Sequence, residues 1–152
     1  MLMKTGIYRL RDFKPRWDFD AGCDGRAGSI NRAFLTSRRI GSTLNVCCGT
    51  DRTGDLRVDV DPKMSPEIVA DVKHLPFRDQ AFETVICDPP YSMFARFKWT
   101  GELLRVAARR IIISTPSICL HFPRQWDREV FFTDSGHLFM RIWQVFTRPG
   151  RL

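Results

Sequence analysis

Four consecutive residues, Asp88-Pro89-Pro90-Tyr91, combine a carboxylate, two residues that lack a backbone N–H and an aromatic ring. The prolines fix φ and remove donors, so the tetrapeptide offers hydrogen-bond acceptors beside a flat ring. This combination suits a planar group whose amine donates both of its hydrogens while the ring of the group stacks on Tyr91. A turn that ends a strand with an aspartate cap has the same residues. The surrounding elements must distinguish the two interpretations.

A run of apolar, β-branched and aromatic residues, 82–87, directly precedes the tetrapeptide and predicts a buried strand. Three more short strands are predicted in the segments 44–51, 56–62 and 67–71, and each leads into small residues or a carboxylate. The carboxyl ends of parallel strands meet at one edge of a sheet, which predicts a single ligand cleft there. Small residues let the backbone approach a ligand, and an acid ending the second strand can accept from both ribose hydroxyls. The expected ligand is therefore a nucleoside.

The stretches LNVCCGT (44–50), VDVDP (58–62) and ADVKHLPFRDQAFETVICDPPY (70–91) resemble class I S-adenosylmethionine-dependent methyltransferases. The glycine loop of that family reads approximately LDLGCGT. The resemblance extends over residues 44–115 and continues elsewhere only in the order of elements. It implies an α/β, Rossmann-like fold with a mostly parallel sheet and a C-terminal antiparallel hairpin, and it implies S-adenosylmethionine as the cofactor.

The resemblance also implies roles for individual residues. The loop at Cys47 would pass beneath the methionine part of the cofactor, Asp59 would bind the ribose, and Asp71 would edge the adenine. Asp61 is the alternative ribose ligand, or else a turn cap before Pro62. The implied cofactor-binding set is Asn45, Cys47, Cys48, Gly49, Asp59, Asp61, Asp71 and Val72. The tetrad Asp88, Pro89, Pro90 and Tyr91 is similar to that of methyltransferases acting on exocyclic amino nitrogens of nucleic-acid bases, and is the implied catalytic set.

Two features depart from the family pattern. Asn45 replaces the usual acidic residue, and Cys47 stands where a glycine is expected. Because cysteine favours negative φ, the loop is expected to be drawn tighter or displaced. The connection between Gly49 and Leu56 is also too short for a crossover helix, since a complete crossover takes at least ~10–12 residues. The sequence therefore predicts a trimmed version of the fold.

The rest of the chain is expected to complete one domain of residues 1–152. The sequence predicts a helix over 102–110, a buried strand over 111–115 and a closing hairpin of 129–133 with 138–147. Residues 1–40 are interpreted as a helical or irregular cover over the cofactor side, and residues 41–152 as the sheet core.

Charge predicts the partner. The net charge is +7, and 19 of the 24 basic residues are arginines, whose planar fork matches phosphate geometry. Segments 8–17 and 91–99 interleave basic and aromatic residues, as nucleic-acid-binding surfaces do. RNA or DNA is therefore the expected partner. Arginine richness can equally reflect codon bias or a hot habitat, and the aromatic residues can be core residues.

Cysteine usage and hydropathy predict the compartment. Five cysteines with an adjacent pair and no C-x-x-C argue against a disulfide framework and for a reducing, cytoplasmic setting. No segment has the ~18 apolar residues of a membrane span, so no membrane association is expected. Cys119 with His121 could hold a metal, but without a second pair of ligands packing roles are preferred and no metal is expected.

These observations predict a methyltransferase acting on an exocyclic amino nitrogen of a base in RNA or DNA, with adenine N6 favoured. No segment is long enough for a separate base-reading domain, so a partner subunit or a homo-oligomer is considered. The alternatives are a methyltransferase of protein glutamine or of a small molecule, and a non-catalytic cofactor- or nucleic-acid-binding protein. A nicotinamide oxidoreductase is disfavoured because G-x-G-x-x-G is absent.

Overall fold

The computed structural model describes residues 3–8, 26–90, 92–93, 99–116, 122–134 and 140–150. Its helices and strands are, in chain order, β1 (Met3–Tyr8), α1 (Arg26–Arg38), β2 (Thr43–Val46), β3 (Leu56–Asp59), β4 (Ile68–Val69), β5 (Phe82–Cys87), α2 (Thr100–Val106), β6 (Ala107–Thr115), β7 (Asp127–Asp134) and β8 (Met140–Thr147). A short 3₁₀ helix, Pro62–Met64, lies between β3 and β4. No helix within these ranges is long and apolar enough to cross a membrane.

The strands form one eight-stranded sheet in the order β1-β7-β8-β6-β5-β2-β3-β4. Neighbouring strands are parallel except at β8, which is antiparallel to both β6 and β7. This confirms the predicted mostly parallel sheet with an antiparallel C-terminal pair. From β2 the chain proceeds to β3 and β4, and then returns to the other side of β2 with β5 and β6. Strand order therefore reverses between β2 and β5, the place where open α/β sheets bind ligands.

A helix covers each face of the central strands. On one face Val85 of β5 and Ile111 of β6 pack with Leu103 of α2. On the other face Ile86 and Ile112 pack in one cluster with Phe34 of α1. Because both faces are covered, β5 ends in the apolar run 85–87 and β6 contains the apolar run 111–113, and these runs are what the sequence predicts as buried strand.

The helix after Trp99 is shorter than predicted. Residues 107–110, expected to be helical, begin β6, where Ala107 lies beside Phe82 and Arg110 beside Thr84. The Arg110 guanidinium donates to the Arg38 carbonyl at 2.6 Å and to Thr147 Oγ1 at 3.2 Å. Pairing with the neighbouring strands β5 and β8 therefore outweighs the helical propensity of Ala-Ala-Arg-Arg.

The N-terminal segment also differs from expectation. Met3–Tyr8 is an edge strand parallel to β7, with Met3 beside Arg128 and Tyr8 beside Thr133. The prediction that residues 1–40 are helical or irregular is therefore wrong for β1, and the sheet is not confined to 41–152. Helix α1 packs on Phe131 and Trp143, and no described residue of 26–40 lines the cavity discussed below. The division into a single domain stays a prediction.

Candidate active site

A cavity of about 560 Å³ opens at the carboxyl ends of β2, β3, β4 and β5. Its size falls within the ~300–1,000 Å³ typical of small-molecule sites. Nine of the residues singled out from the sequence line it, namely Cys47, Gly49, Asp59, Asp61, Asp71, Val72, Asp88, Pro89 and Pro90. Asn45 and Cys48 do not line it, and Tyr91 lies outside the described residues. The fold thus brings residues separated by more than forty positions in the chain to one wall.

The loop after β2 contains no helix. Residues 47–55 form bends, turns and irregular segments, as the short spacing predicts. Cys47 adopts a left-handed backbone with φ of 53° and Gly49 does so with φ of 52°. The negative φ expected for Cys47 is therefore wrong, and the tighter or displaced loop stays a prediction. The left-handed conformation costs a non-glycine residue about 1–2 kcal/mol.

Asp59 holds this loop against β3. Its Oδ2 accepts from the Gly49 N–H at 2.8 Å, and its Oδ1 accepts from the Asp61 N–H at 2.9 Å. The Cys48 N–H donates to the Val58 carbonyl at 3.2 Å, which extends the contact between the loop and β3. A carboxylate has about four acceptor positions, so Asp59 keeps acceptor capacity for a ligand in the cavity.

Asp61 has a different role. Its Oδ1 accepts from the Lys63 N–H at 2.9 Å and caps the 3₁₀ helix that begins at Pro62. The sequence left ribose binding and turn capping open for this residue. The observed bond is the turn cap, and ribose binding by Asp59 or Asp61 stays a prediction.

Asn45 supports the loop from below instead of contacting the cavity. It is 1% exposed, and its Nδ2 donates to Asp51 Oδ2 and to the Thr53 carbonyl, both at 3.0 Å. Asp51 Oδ1 in turn accepts from the backbone N–H of Thr53 at 3.1 Å. The amide of Asn45 donates to these two acceptors, whereas an ionised acidic residue at position 45 would have no hydrogen to donate.

Cys48 is buried against the core with 5% exposure. Burial, together with the nearby negative charge of Asp59, raises the pKa of its thiol to about 11. Cys48 is therefore an uncharged packing residue of the loop.

The loop after β4 is held in place by helix α2. Asp71 and Val72 line the cavity, and Val72 is 4% exposed and anchored in the core. Glu102 of α2 accepts from the Leu75 N–H at 2.8 Å. Arg105 donates to the carbonyls of Leu75 and Phe77 at 3.0 and 2.6 Å. These contacts hold the loop in place. In the sequence, the only signal for them is the i, i+3 spacing of Glu102 and Arg105.

Asp88, which follows β5, lines the cavity and forms an ion pair with a residue of β8. Arg141 of β8 donates to Asp88 Oδ2, and its guanidinium lies 5.8 Å from the ring centre of Trp143. The side chains of Arg141 and Asp88 are 33% and 40% exposed. Sequence reasoning missed Arg141 because it lies 53 positions from Asp88 and no local pattern marks it.

Met93 is another cavity residue that the sequence analysis did not assign. Its N–H donates to the Pro90 carbonyl at 2.9 Å, and its own carbonyl accepts from Trp99 Nε1 at 3.2 Å. The buried Trp99 therefore positions the segment that follows the two prolines.

Many described arginines make internal contacts. Arg57 pairs with Glu67, and Arg148 donates to the Ala107 carbonyl at 3.1 Å and lies over the Trp126 ring. Arg128 donates to Gln144. These arginine side chains stabilise the fold through contacts within the protein. The number of arginines alone therefore does not define a phosphate-binding surface. Most of segments 8–17 and 91–99 lies outside the described residues.

Within the described ranges no group of three or more His, Cys, Asp or Glu side chains is placed to hold a metal ion. Cys119 and His121 lie outside the described residues. The cavity wall offers carboxylates, backbone carbonyls and apolar side chains, which suit an organic ligand with hydroxyl and amine donors.

No protein-family model matches the chain, and no curated protein matches it in sequence. Solved methyltransferase structures nevertheless share its fold. Magnesium protoporphyrin IX methyltransferase from Synechocystis PCC 6803 with bound S-adenosylmethionine has a TM-score of 0.57 at 15% identity, over 81% of this chain and 78% of that chain. A candidate S-adenosyl-L-methionine-dependent methyltransferase from Methanococcus maripaludis has a TM-score of 0.60 at 12% identity, over 83% of this chain and 87% of that chain.

A third structure contains a methyltransferase candidate in complex with the Haloferax volcanii Trm112 methyltransferase activator. It has a TM-score of 0.59 at 10% identity, over 84% of this chain and 91% of that chain. At these identities the likeness concerns the fold, and the chain has the Rossmann-like fold of class I methyltransferases.

Proposed function

We propose that this protein is an S-adenosylmethionine-dependent methyltransferase that modifies an exocyclic amino nitrogen of a nucleic-acid base, with adenine N6 favoured. The observation that carries the proposal is the shared cavity. Asp88 and Pro89 lie on its wall together with Asp59 and the loop of Cys47 and Gly49. The cavity therefore offers hydrogen-bond acceptors for the amine that receives the methyl group and for the nucleoside of the cofactor. These two ligands must lie next to each other for the transfer.

The wall residues fit the cofactor. A Cβ placed on Gly49 would meet no protein atom within 4 Å, so a ligand can approach the loop backbone closely. In the proposal, Asp59 binds the ribose, Asp71 and Val72 edge the adenine, and the loop from Cys47 to Gly49 lies beneath the methionine part. When bound, S-adenosylmethionine supplies a methyl group on a positively charged sulfur.

Asp88 and Pro89 would orient the acceptor. The lone pair of an aromatic amine is delocalised into its ring, so the amine is a weak nucleophile. Hydrogen bonds from its two N–H groups to the Asp88 carboxylate and the Pro89 carbonyl would align the nitrogen and stabilise the positive charge that develops on it. Arg141 bonds to Oδ2 and is the only described group that donates to Asp88, so the carboxylate keeps acceptor capacity. Tyr91 is proposed to stack on the base.

Nucleic acid is proposed as the partner because of the net charge of +7 and the two basic and aromatic segments. A single-stranded or looped substrate avoids the cost of flipping a base out of a duplex. The activator bound to the Haloferax volcanii protein supports a partner subunit as an option for this chain, beside a homo-oligomer. A cytoplasmic location is likewise part of the proposal.

The test is mass spectrometry of bulk RNA and DNA after incubation with the protein and isotope-labelled S-adenosylmethionine. We expect the label in N6-methyladenine. Asp88→Ala should abolish the signal, whereas Asp127→Ala, which removes an exposed carboxylate outside the cavity, should keep it. Label confined to protein or small molecules would refute the nucleic-acid acceptor.

The internal contacts of the arginines favour a second candidate. If the basic side chains chiefly brace the fold, the acceptor can be a glutamine side chain of a protein or a small amine, since both present N–H groups to Asp88 and Pro89. If the protein binds the cofactor but transfers no methyl group to any of these acceptors, it is a non-catalytic binding protein.

A further inference from the structure

Two cysteines from different strands meet at the floor of the cavity. Strands β2 and β5 are parallel neighbours in which Val46 lies beside Cys87. Cys47 follows Val46 directly. A strand spacing of ~4.8 Å and a one-residue offset of ~3.3 Å place the Cα atoms of Cys47 and Cys87 roughly 6 Å apart. Disulfides usually join residues whose Cα atoms are about 4.4–6.8 Å apart.

The Cys47 side chain also lies on the same face of the sheet as Cys87. Successive residues of a strand alternate between faces, so the side chain after Val46 would normally leave the face that holds Cys87. The left-handed φ of 53° at Cys47 interrupts this alternation. Cys47 packs against the core cluster that contains Cys87, so its side chain lies on the side of the sheet that holds that thiol. Both are free thiols.

Access to the two thiols is unequal. Cys47 is half-buried and lines the cavity, so a small solute that enters the cavity can reach it. Cys87 is 0% exposed. Burial, and secondarily the contact with Cys47, raises the pKa of Cys87 well above its ordinary value, so this thiol is shielded from reagents in bulk solvent. Such a pair can react in sequence, with the accessible thiol first.

We propose that Cys47 and Cys87 form an intramolecular disulfide in response to a low-molecular-weight disulfide, and that this bond weakens cofactor binding. The Cys47 thiolate attacks the small disulfide, forms a mixed disulfide and releases one small thiolate. Cys87 then attacks the Cys47 sulfur, and its proton passes to the departing second small thiolate, which leaves through the cavity as a thiol. Two protein thiols are oxidised and one small disulfide is reduced to two thiols.

The effect on binding follows from the position of the bond. Cys47 begins the loop whose Gly49 N–H is bonded to Asp59, and Cys87 immediately precedes Asp88. An S–S bond of ~2.05 Å draws Cys47 from the cavity wall toward β5 and moves the loop with it, so the surface that the cofactor would contact is displaced. This part of the inference rests on the proposed function, because it assumes that the cofactor occupies the loop. The disulfide itself does not depend on that assumption.

The experiment equilibrates the full chain with mixtures of reduced and oxidised glutathione, blocks remaining thiols with N-ethylmaleimide and maps the peptides by mass spectrometry. We expect a cross-linked peptide pair containing Cys47 and Cys87, reversible by dithiothreitol. Cys48→Ala should still form it. Cys47→Gly, which suits the left-handed backbone and should fold, should not. A persistent glutathione adduct on Cys47 with Cys87 unmodified, or a cross-link through Cys48, would overturn the disulfide.

Calorimetry with S-adenosylhomocysteine then tests the control of binding. We expect the oxidised protein to bind at least about tenfold more weakly, and, because such coupling is reciprocal, saturating S-adenosylhomocysteine to make the disulfide harder to form. Cys47→Gly should bind equally well with and without oxidant. Unchanged affinity in a cross-linked protein would overturn the proposed control. Absence of binding even by the reduced protein would instead contradict the proposed function, with the cross-link result standing apart.

Discussion

At the residue scale, Asp59 has a structural role and a proposed role in binding the cofactor ribose. Its oxygens accept from the backbone of Gly49 and Asp61, and it lines the cavity. We expect Asp59→Ala to weaken S-adenosylhomocysteine binding by about 1.5–3 kcal/mol, as removal of a charged hydrogen-bond acceptor does. Isothermal calorimetry measures the difference. Asp61→Ala is the matched control, since it removes a turn cap and should cost about 0.5–1 kcal/mol of stability with little change in affinity. Equal losses of affinity would contradict the assignment.

Asp88 separates catalysis from binding. If its carboxylate accepts from the acceptor amine as charge develops, Asp88→Asn should slow transfer by ~10²–10³ while sparing cofactor affinity. Asp88→Ala should be slower still, because the asparagine oxygen can replace one acceptor. Single-turnover transfer from labelled cofactor to the active acceptor, with calorimetry in parallel, measures both effects. Equal rates for the wild type and Asp88→Ala would remove this residue from the mechanism.

At the element scale, α2 fastens the loop after β4 through Glu102. The hydrogen bond from Arg105 lowers the pKa of the Glu102 carboxyl below its ordinary value of 4.5. A carboxyl whose pKa is lower in the folded state stabilises the fold above its unfolded pKa, and this stabilisation is lost as pH falls through the folded pKa. We therefore expect the free energy of unfolding to drop below about pH 4.5 in the wild type.

Urea unfolding at a series of pH values tests this expectation. Glu102→Gln, which has no carboxyl to protonate, should be less stable at pH 7 and should show a smaller drop in acid. Asp127→Asn is the comparison, because it changes an exposed carboxylate on β7 away from this loop, and such surface substitutions usually have a minor effect. An acid drop of the same size in Glu102→Gln and wild type would exclude Glu102 as its source.

Sequence reasoning succeeded for elements that local pattern determines. The run that forms β5 is apolar on both faces and ends at two prolines, so its existence and end were predictable. The boundary between α2 and β6 was not, because Ala107–Arg110 suits either structure and the choice depends on strands β5 and β8 beside it. The contact of Arg141 with Asp88 likewise depends on the order of strands, which single residues do not encode.

At the scale of the whole molecule, electrostatics governs the proposed interaction with nucleic acid. With a net charge of +7, log affinity for single strands should fall linearly with log salt, with a slope near −0.7 per phosphate contacted. Fluorescence anisotropy with labelled RNA and DNA over a salt series measures the slope. Negligible affinity for nucleic acid at low salt would mean that the arginines chiefly stabilise the fold, as Arg57 and Arg148 do. It would favour a protein or a small molecule as the methyl acceptor.

The pairing of β1 with β7 leaves the six residues of β1, instead of the eight residues of β7, at this edge of the sheet. The opposite edge of the sheet is β4, which at two residues is too short to template another strand. Without β1, the eight residues of β7 would expose a row of unpaired backbone groups beside Val130 and Phe131. Deletion of residues 1–8 should therefore leave the circular dichroism spectrum folded but make light scattering rise with concentration. Val69→Lys at the other edge should not, and a deletion variant that stays monomeric would show that β7 needs no such cover.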